Sequence, residues 1–129
     1  MRKFENFCNA YKNLNDIYDY HEPYSNVVKT GLVGLFELCF EQAWKAMKEV
    51  LSEHGYSDSS TGSPKMIIKT AYAAGMISDE NSWLAALKSR NETANSYNEK
   101  VAPDIIEKTK NCYVNLFKEL KDEIENRWI

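Results

Sequence analysis

Between Ser25 and Glu53 the chain runs for roughly thirty residues without a proline, from a serine suited to cap a helix to Gly55, suited to stop one. As a single helix this stretch would be about 45 Å long, too long for a peripheral element of a 129-residue chain. Its apolar residues also fill more than one face. Val28, Leu32, Leu35 and Cys39 form one line at helical spacing, and Val33, Phe36, Phe40, Trp44 and Met47 form another. The spacing predicts a central helix packed on two sides. Lys29, Glu37 and Glu41 interrupt the apolar run from Val27 to Trp44, which therefore reads as a buried helix and not as a membrane span. The remaining line is polar: Glu37, Glu41, Lys45 and Lys48. It reads as a solvated face of mutual i,i+4 pairs, or as one from which Glu37 or Glu41 answers a cation on another helix.

Around this element the other helices follow in order. Residues 2 to about 20 place Phe4, Phe7, Cys8, Tyr11, Leu14, Ile17 and Tyr18 on one amphipathic face. Tyr20-His21-Glu22-Pro23 breaks it, because the residue before a proline is pushed out of the α region. Tyr11, Tyr18, Tyr20 and Tyr24 read as core packing, with a base-stacking platform as the alternative. Residues 54–63 have the composition of a surface loop. Ser63-Pro64 starts a third helix that Gly75 stops, and Ser78 or Asp79 caps a fourth. Pro103 marks a bend or restart, after which Ile105, Ile106, Cys112, Tyr113, Leu116, Phe117, Leu120 and Ile124 keep a helical period. The expectation is an all-α, up-and-down bundle of five helices forming one domain over residues 1–129, with helices two and five as its long pair.

Charge and motif content narrow the function. A net charge of −3 gives no global basic field to collect nucleic acid, so any nucleotide or RNA contact must be local. Cys8, Cys39 and Cys112 are odd in number and lack CxxC spacing, which suggests reduced core thiols in a cytoplasmic protein. Met1 to Asn6 carries no signal-peptide pattern. His21 and His54 are the two histidines, and neither stands at zinc-ligand spacing with a cysteine. No glycine-rich phosphate loop and no Ser–His–Asp or Cys–His arrangement is present, and no metal or cofactor is called for.

One polar constellation stands out. On a helix from Asp79, the residues Trp83, Leu84, Leu87, Arg90, Asn91, Ala94, Tyr97 and Asn98 share a face that begins as core and turns polar halfway. Burying a guanidinium and two carboxamides costs several kcal/mol unless they are paired. Either partners wait inside or the face opens into a cleft. Arg90, Asn91, Asn95, Tyr97 and Asn98 are thus the candidate ligand-binding residues, with Glu37, Glu41 and Lys45 in support.

The run Phe36-Glu37-Leu38 through Phe40-Glu41-Gln42-Ala43-Trp44-Lys45, then Ser63-Pro64, Gly75-Met76-Ile77, Trp83 and Arg90-Asn91 through Tyr97 resembles the nucleotidyltransferase substrate-binding protein family, within the HEPN superfamily, over nearly the whole chain. The resemblance implies a four-helix HEPN-like core, a homodimer, and a minimal nucleotidyltransferase as partner in a toxin–antitoxin-like pair. It also implies a late-helix signature, Arg, four to six residues, then His, at a cleft on the dimer interface. In catalytic members that pair cleaves RNA without metal, and in some modules the partner adenylylates a tyrosine two residues after the His. Arg90 matches the signature Arg, Asn91 its companion and Tyr97 the modifiable tyrosine, but Asn95 occupies the His position. An amide does not exchange a proton near pH 7, and such catalysis is worth roughly 10²–10⁴-fold. The reading is a non-catalytic binding and partner subunit. Two alternatives stay open: a ribonuclease toxin using Arg90 and Asn95, and a ligand-free dimeric scaffold in which Arg90 only bridges Glu37 or Glu41.

Overall fold

The central helix is present as expected. In the computed structural model, which describes residues 1–56, 62–95 and 100–129, helix α2 (Asn26–Glu53) is unbroken over 28 residues. Ser25 caps it, its hydroxyl accepting the Val28 N–H at 3.2 Å. Its end is closed by Gly55 at φ 89°, a left-handed conformation that a side chain would strain, and by the Tyr56 N–H donating to the Leu51 carbonyl at 3.0 Å.

Helix α1 (Arg2–Leu14) precedes it and tightens into a 3₁₀ turn over Asn15–Asp19. Its first turn has no side-chain cap of its own, and Glu49 of α2 accepts the Lys3 N–H at 3.1 Å instead. Helix α3 (Pro64–Ala73) starts on the Ser63 cap, and α4 (Glu80–Glu92) on Asp79, whose carboxylate accepts the Ser82 N–H at 3.0 Å. A 3₁₀ turn, Thr93–Asn95, follows α4. The last rod of the bundle consists of α5 (Val101–Lys108), a π-helical turn (Thr109–Tyr113) and α6 (Val114–Arg127). The result is an all-α bundle of five rods, with no strand among the described residues.

Helix α2 touches α1, α3, α4 and α5, so burial on several sides explains its two apolar lines. Phe36, Cys39, Phe40, Ala43, Met47 and Val50 are fully buried, with Val28, Leu35 and Trp44 packed at the margin. Phe36 stacks on Tyr113 with ring centroids 5.2 Å apart, and Phe40 meets Trp83 edge to face at 6.2 Å. Trp83 in turn meets Phe117 at 5.6 Å, and Phe7 meets Phe117 at 6.2 Å. These edge and stacked geometries are the ones aromatic pairs prefer.

Two expectations fail, for physical reasons. Cys39 is a core thiol and Cys8 is half-buried, but Cys112 is exposed. The π turn widens the helix by one residue across 109–113, so Thr109 joins Tyr113 on the core side and Cys112 is turned outward. The tyrosines are not one core seam either, since Tyr18 and Tyr20 are exposed. The Tyr18 hydroxyl donates to the Lys110 carbonyl at 2.8 Å, and the Lys110 ammonium donates to the Tyr20 carbonyl and, at 2.9 Å, to the Tyr24 hydroxyl. They anchor the strap between α1 and α2 onto the π turn.

The caps and the buried hydroxyl pair yield two expected outcomes. Hydrogen bonds from the Ser82 hydroxyl and N–H hold the Asp79 carboxyl below the usual carboxylate range. A lowered folded-state pKa means that the stabilisation is present above the unfolded-state value and is lost as pH falls through the folded one. Asp79→Ala should therefore cost about 1 kcal/mol in urea unfolding at pH 7, with the difference from the parent protein shrinking in acid. Tyr113→Phe should cost about 1–3 kcal/mol by orphaning the buried Ser89 hydroxyl, while Tyr113→Phe with Ser89→Ala should recover much of that loss.

Candidate functional site

Helix α4 presents Trp83, Ala86 and Ser89 to the core, at i, i+3 and i+6. Ser89 is held there by a hydrogen bond to the Tyr113 hydroxyl at 2.7 Å, and Tyr113 also donates to the Ala85 carbonyl at 3.3 Å. Burial pushes the Tyr113 phenol up from its usual range, against the opposing hydrogen bond from Ser89, so the hydroxyl stays protonated and available as a link. Arg90, the next residue, is turned out of the core by about 100° and sits half-buried at the rim.

The polar face therefore differs from its expected position. Leu84 and Leu87 are half-buried, while Asn91, Ala94 and Asn95 lie toward the surface, Asn91 and Asn95 being exposed. The buried line is rotated by one residue from the one periodicity selects, and α4 ends at Glu92, where the chain tightens into the 3₁₀ turn. Of the two carboxamides on the expected face, Asn91 is exposed and Asn98 is not among the described residues. Tyr97 and Asn98 lie outside the described residues.

Of the two carboxylates expected to answer Arg90, Glu41 does so. Its Oε2 accepts from Arg90 Nη2 at 2.9 Å, and its Oε1 lies 3.7 Å from the Lys45 ammonium. Arg90 Nη1 donates to the Asn91 side-chain oxygen at 3.1 Å. Glu37, one turn back on α2, accepts the Thr93 hydroxyl, which also approaches the Arg90 carbonyl at 2.8 Å. The structure thus brings Arg90, Asn91, Glu37, Glu41 and Lys45 together, and Asn95 stands apart from this network at the surface. Thr93 is a member that sequence reasoning missed. Its lateral bond to Glu37 joins residues 56 apart in sequence, and no local pattern signals such a contact.

The Arg90–Glu41 pair is about 30% exposed on both sides, so it lies between the weak surface regime and the costly buried one. Two of the five guanidinium N–H donors are engaged by Glu41 and Asn91. The arrangement can orient a cation at a rim and offer it to an anion. It contains no imidazole. His54 is about 20 Å further along α2 from Glu41, its Nδ1 2.9 Å from the Val50 carbonyl and its ring against Trp128. Among the described residues no cluster of His, Cys, Asp and Glu could hold a metal ion.

Comparison with known proteins places this architecture. The chain resembles a crystallised protein of Thermus thermophilus at 24% identity, with a TM-score of 0.80 over 93% of this chain and 99% of that one. It resembles a Haemophilus influenzae protein at 19% identity, with a TM-score of 0.79 over 95% of this chain and 99% of the other. That structure is described as revealing the fold of a substrate binding domain of a nucleotidyltransferase. At these identities the likeness shows the fold. No curated protein sequence shows significant similarity to the chain. The family model described as "Nucleotidyltransferase substrate binding protein like" matches residues 2–126. The chain belongs to that family.

Proposed function

We propose that this protein is the non-catalytic substrate-binding subunit of a two-component nucleotidyltransferase, acting as a homodimer whose groove takes a nucleotide or another phosphate-bearing substrate. Arg90 is the phosphate-gripping residue, with Asn91 and Asn95 as polar companions and Glu41 and Lys45 as the groups that aim it. The family description supports the association with a nucleotidyltransferase. The observation that carries the site is the Glu41–Arg90 pair: a half-exposed guanidinium fixed by a carboxylate at 2.9 Å, at the margin of the bundle instead of in its core. A fork of N–H donors so held suits a phosphate or phosphodiester.

Support for the dimer comes from α2. Val27 is 83% exposed and Leu38 60% exposed, and they share a face with Gly31, Gly34, Glu41 and Lys45. A side chain at Gly31 or Gly34 would meet nothing within 4 Å, so no intrachain packing requires a glycine there. Each nevertheless costs the helix about 1 kcal/mol relative to alanine. Close approach of a second copy along this line would account for that cost and bring two Arg90 side chains to one groove. Asn95 at the position of the HEPN histidine favours binding over RNA cleavage, since an amide there carries no proton to or from a substrate held by Arg90. In the toxin–antitoxin form of this reading, Tyr97 is the residue the partner modifies.

Three measurements bear on this. Leu38→Asp should halve the mass seen in analytical ultracentrifugation; a parent protein that already sediments as a monomer at high concentration would remove the dimer. Arg90→Ala should weaken binding of nucleoside triphosphates about tenfold or more in calorimetric titration, the range for a charge-assisted hydrogen bond; equal affinity would remove the site. Incubation with RNA in the presence of a chelator should leave the RNA intact, and cleavage abolished by Arg90→Ala would put the ribonuclease reading in its place.

A further inference from the structure

Next to the Arg90 pair, on the other side of Lys45, lies a concavity of about 430 Å³, lined by Lys3, Trp44, Lys45, Lys48, Glu49 and Ser52. Its volume is within the range of small-molecule sites. Three of its six residues are lysines, although the chain as a whole carries a net charge of −3. The carboxylate among them, Glu49, is engaged by the Lys3 backbone N–H at 3.1 Å. Among the described residues, Lys3 and Lys48 have no carboxylate within ion-pair distance, whereas Lys108, Lys118 and Lys121 each have one within 3.0 Å. Lys45 is paired with Glu41 at 3.7 Å, and Lys3 and Lys48 are the two ammonium groups here without a carboxylate partner among the described residues.

Trp44 is the one aromatic residue lining the concavity. The Lys48 ammonium stands 5.9 Å from its ring centroid, close enough for a cation–π contact. Its Nε1 is buried with no hydrogen-bond partner among the described residues. Burying an unsatisfied donor is unfavourable. The indole packs against the margin of the core, and its N–H draws no hydrogen bond from that packing among the described residues. What the residue offers is an indole face with the Lys48 ammonium over it and Lys45 on the same concavity, a face a base can share once the flexible Lys48 side chain swings to its phosphates.

We infer that Trp44, Lys45 and Lys48, with Lys3, form a nucleoside-phosphate subsite contiguous with Arg90, in which the base stacks on the Trp44 indole and the phosphates reach Lys48 and Lys45. The contiguity is direct: Lys45 lines the concavity and lies 3.7 Å from Glu41, the carboxylate that holds Arg90. This inference rests on the substrate-binding reading above and names the class of substrate and where its base lies. A purely apolar partner would leave the three ammonium groups unused, and a bare phosphate would leave the indole face unused.

The test titrates the intact protein with the four ribonucleoside triphosphates and, separately, with inorganic tripolyphosphate, for the parent protein and for Trp44→Leu, Lys48→Ala and Arg90→Ala. Trp44→Leu should weaken nucleotide binding about tenfold, the range for loss of one base stack, and leave tripolyphosphate binding unchanged. Lys48→Ala should weaken both. Thermal unfolding of each variant checks that the fold persists; should Trp44→Leu not fold, Lys48→Ala and Lys3→Ala carry the comparison at the protein surface. If Trp44→Leu and Lys48→Ala bind like the parent protein while Arg90→Ala does not, the subsite is refuted and the Arg90 site stands. The reverse pattern keeps the subsite and removes Arg90 as a ligand. A parent protein that binds none of the four nucleotides overturns this inference, while ultracentrifugation still reads the dimer on its own.

Discussion

The structure depends on the aromatic packing that seats α2. Phe36 lies against Tyr113 and Phe117, and Phe40 against Trp83, so one helix is registered at once against α4 and against the last rod. Aromatic pairs of this kind add about 0.5–1.5 kcal/mol each beyond the area they bury, and they are directional. Direction matters most here. With Phe36 and Phe40 turned inward, the rotation of α2 about its axis is fixed, and the line Glu37, Glu41, Lys45 must lie alongside the end of α4. The Arg90–Glu41 and Thr93–Glu37 contacts follow from that rotation.

A second constraint acts from the other side of the core. The π turn at Thr109–Tyr113 adds one residue to the last rod and brings Tyr113 onto both Phe36 and Ser89. The Ser89–Tyr113 bond fixes the last full turn of α4 one residue before Arg90. Arg90 is therefore determined from two directions, by a buried hydroxyl pair behind it and by a carboxylate in front. The same turn brings Cys112 out to the surface and lets Lys110 hold the strap at Tyr20 and Tyr24. One extra residue in a helix thus shapes both the margin of the site and the connection into α2.

Helix α2 has an outer side as well. Its face through Val27, Gly31, Gly34 and Leu38 runs into Glu41 and Lys45, and Lys45 leads on to Trp44 and Lys48. An exposed apolar line, the carboxylate that orients Arg90 of α4, and the lysines and indole of the basic concavity succeed one another along α2. The proposed dimer, anion grip and base stack are readings of neighbouring stretches of this one surface, and each has its own experimental readout.

Much of this was legible in the sequence, because caps, stops and periodicity are local. Ser25, Ser63, Asp79, Gly55 and Gly75 act within a few residues of themselves, so the helices and their order could be read from the chain. The two apolar lines of α2 foretold a buried central helix, and a charge answering Arg90 was expected on Glu37 or Glu41. What the sequence by itself could not decide was how helices rotate against one another. That depends on which side chains interdigitate across residues far apart in the chain, and on a π turn that shifts the periodicity by one position. Tertiary packing chose Glu41 over Glu37, put Asn91 and Asn95 at the surface, exposed Cys112, and assembled Lys3, Trp44 and Lys48 around one concavity. The sequence determined the helices and their order, since those arise from local hydrogen bonding and hydrophobic period. The candidate site was decided by the packing of their faces, since its contacts join residues that local rules never compare.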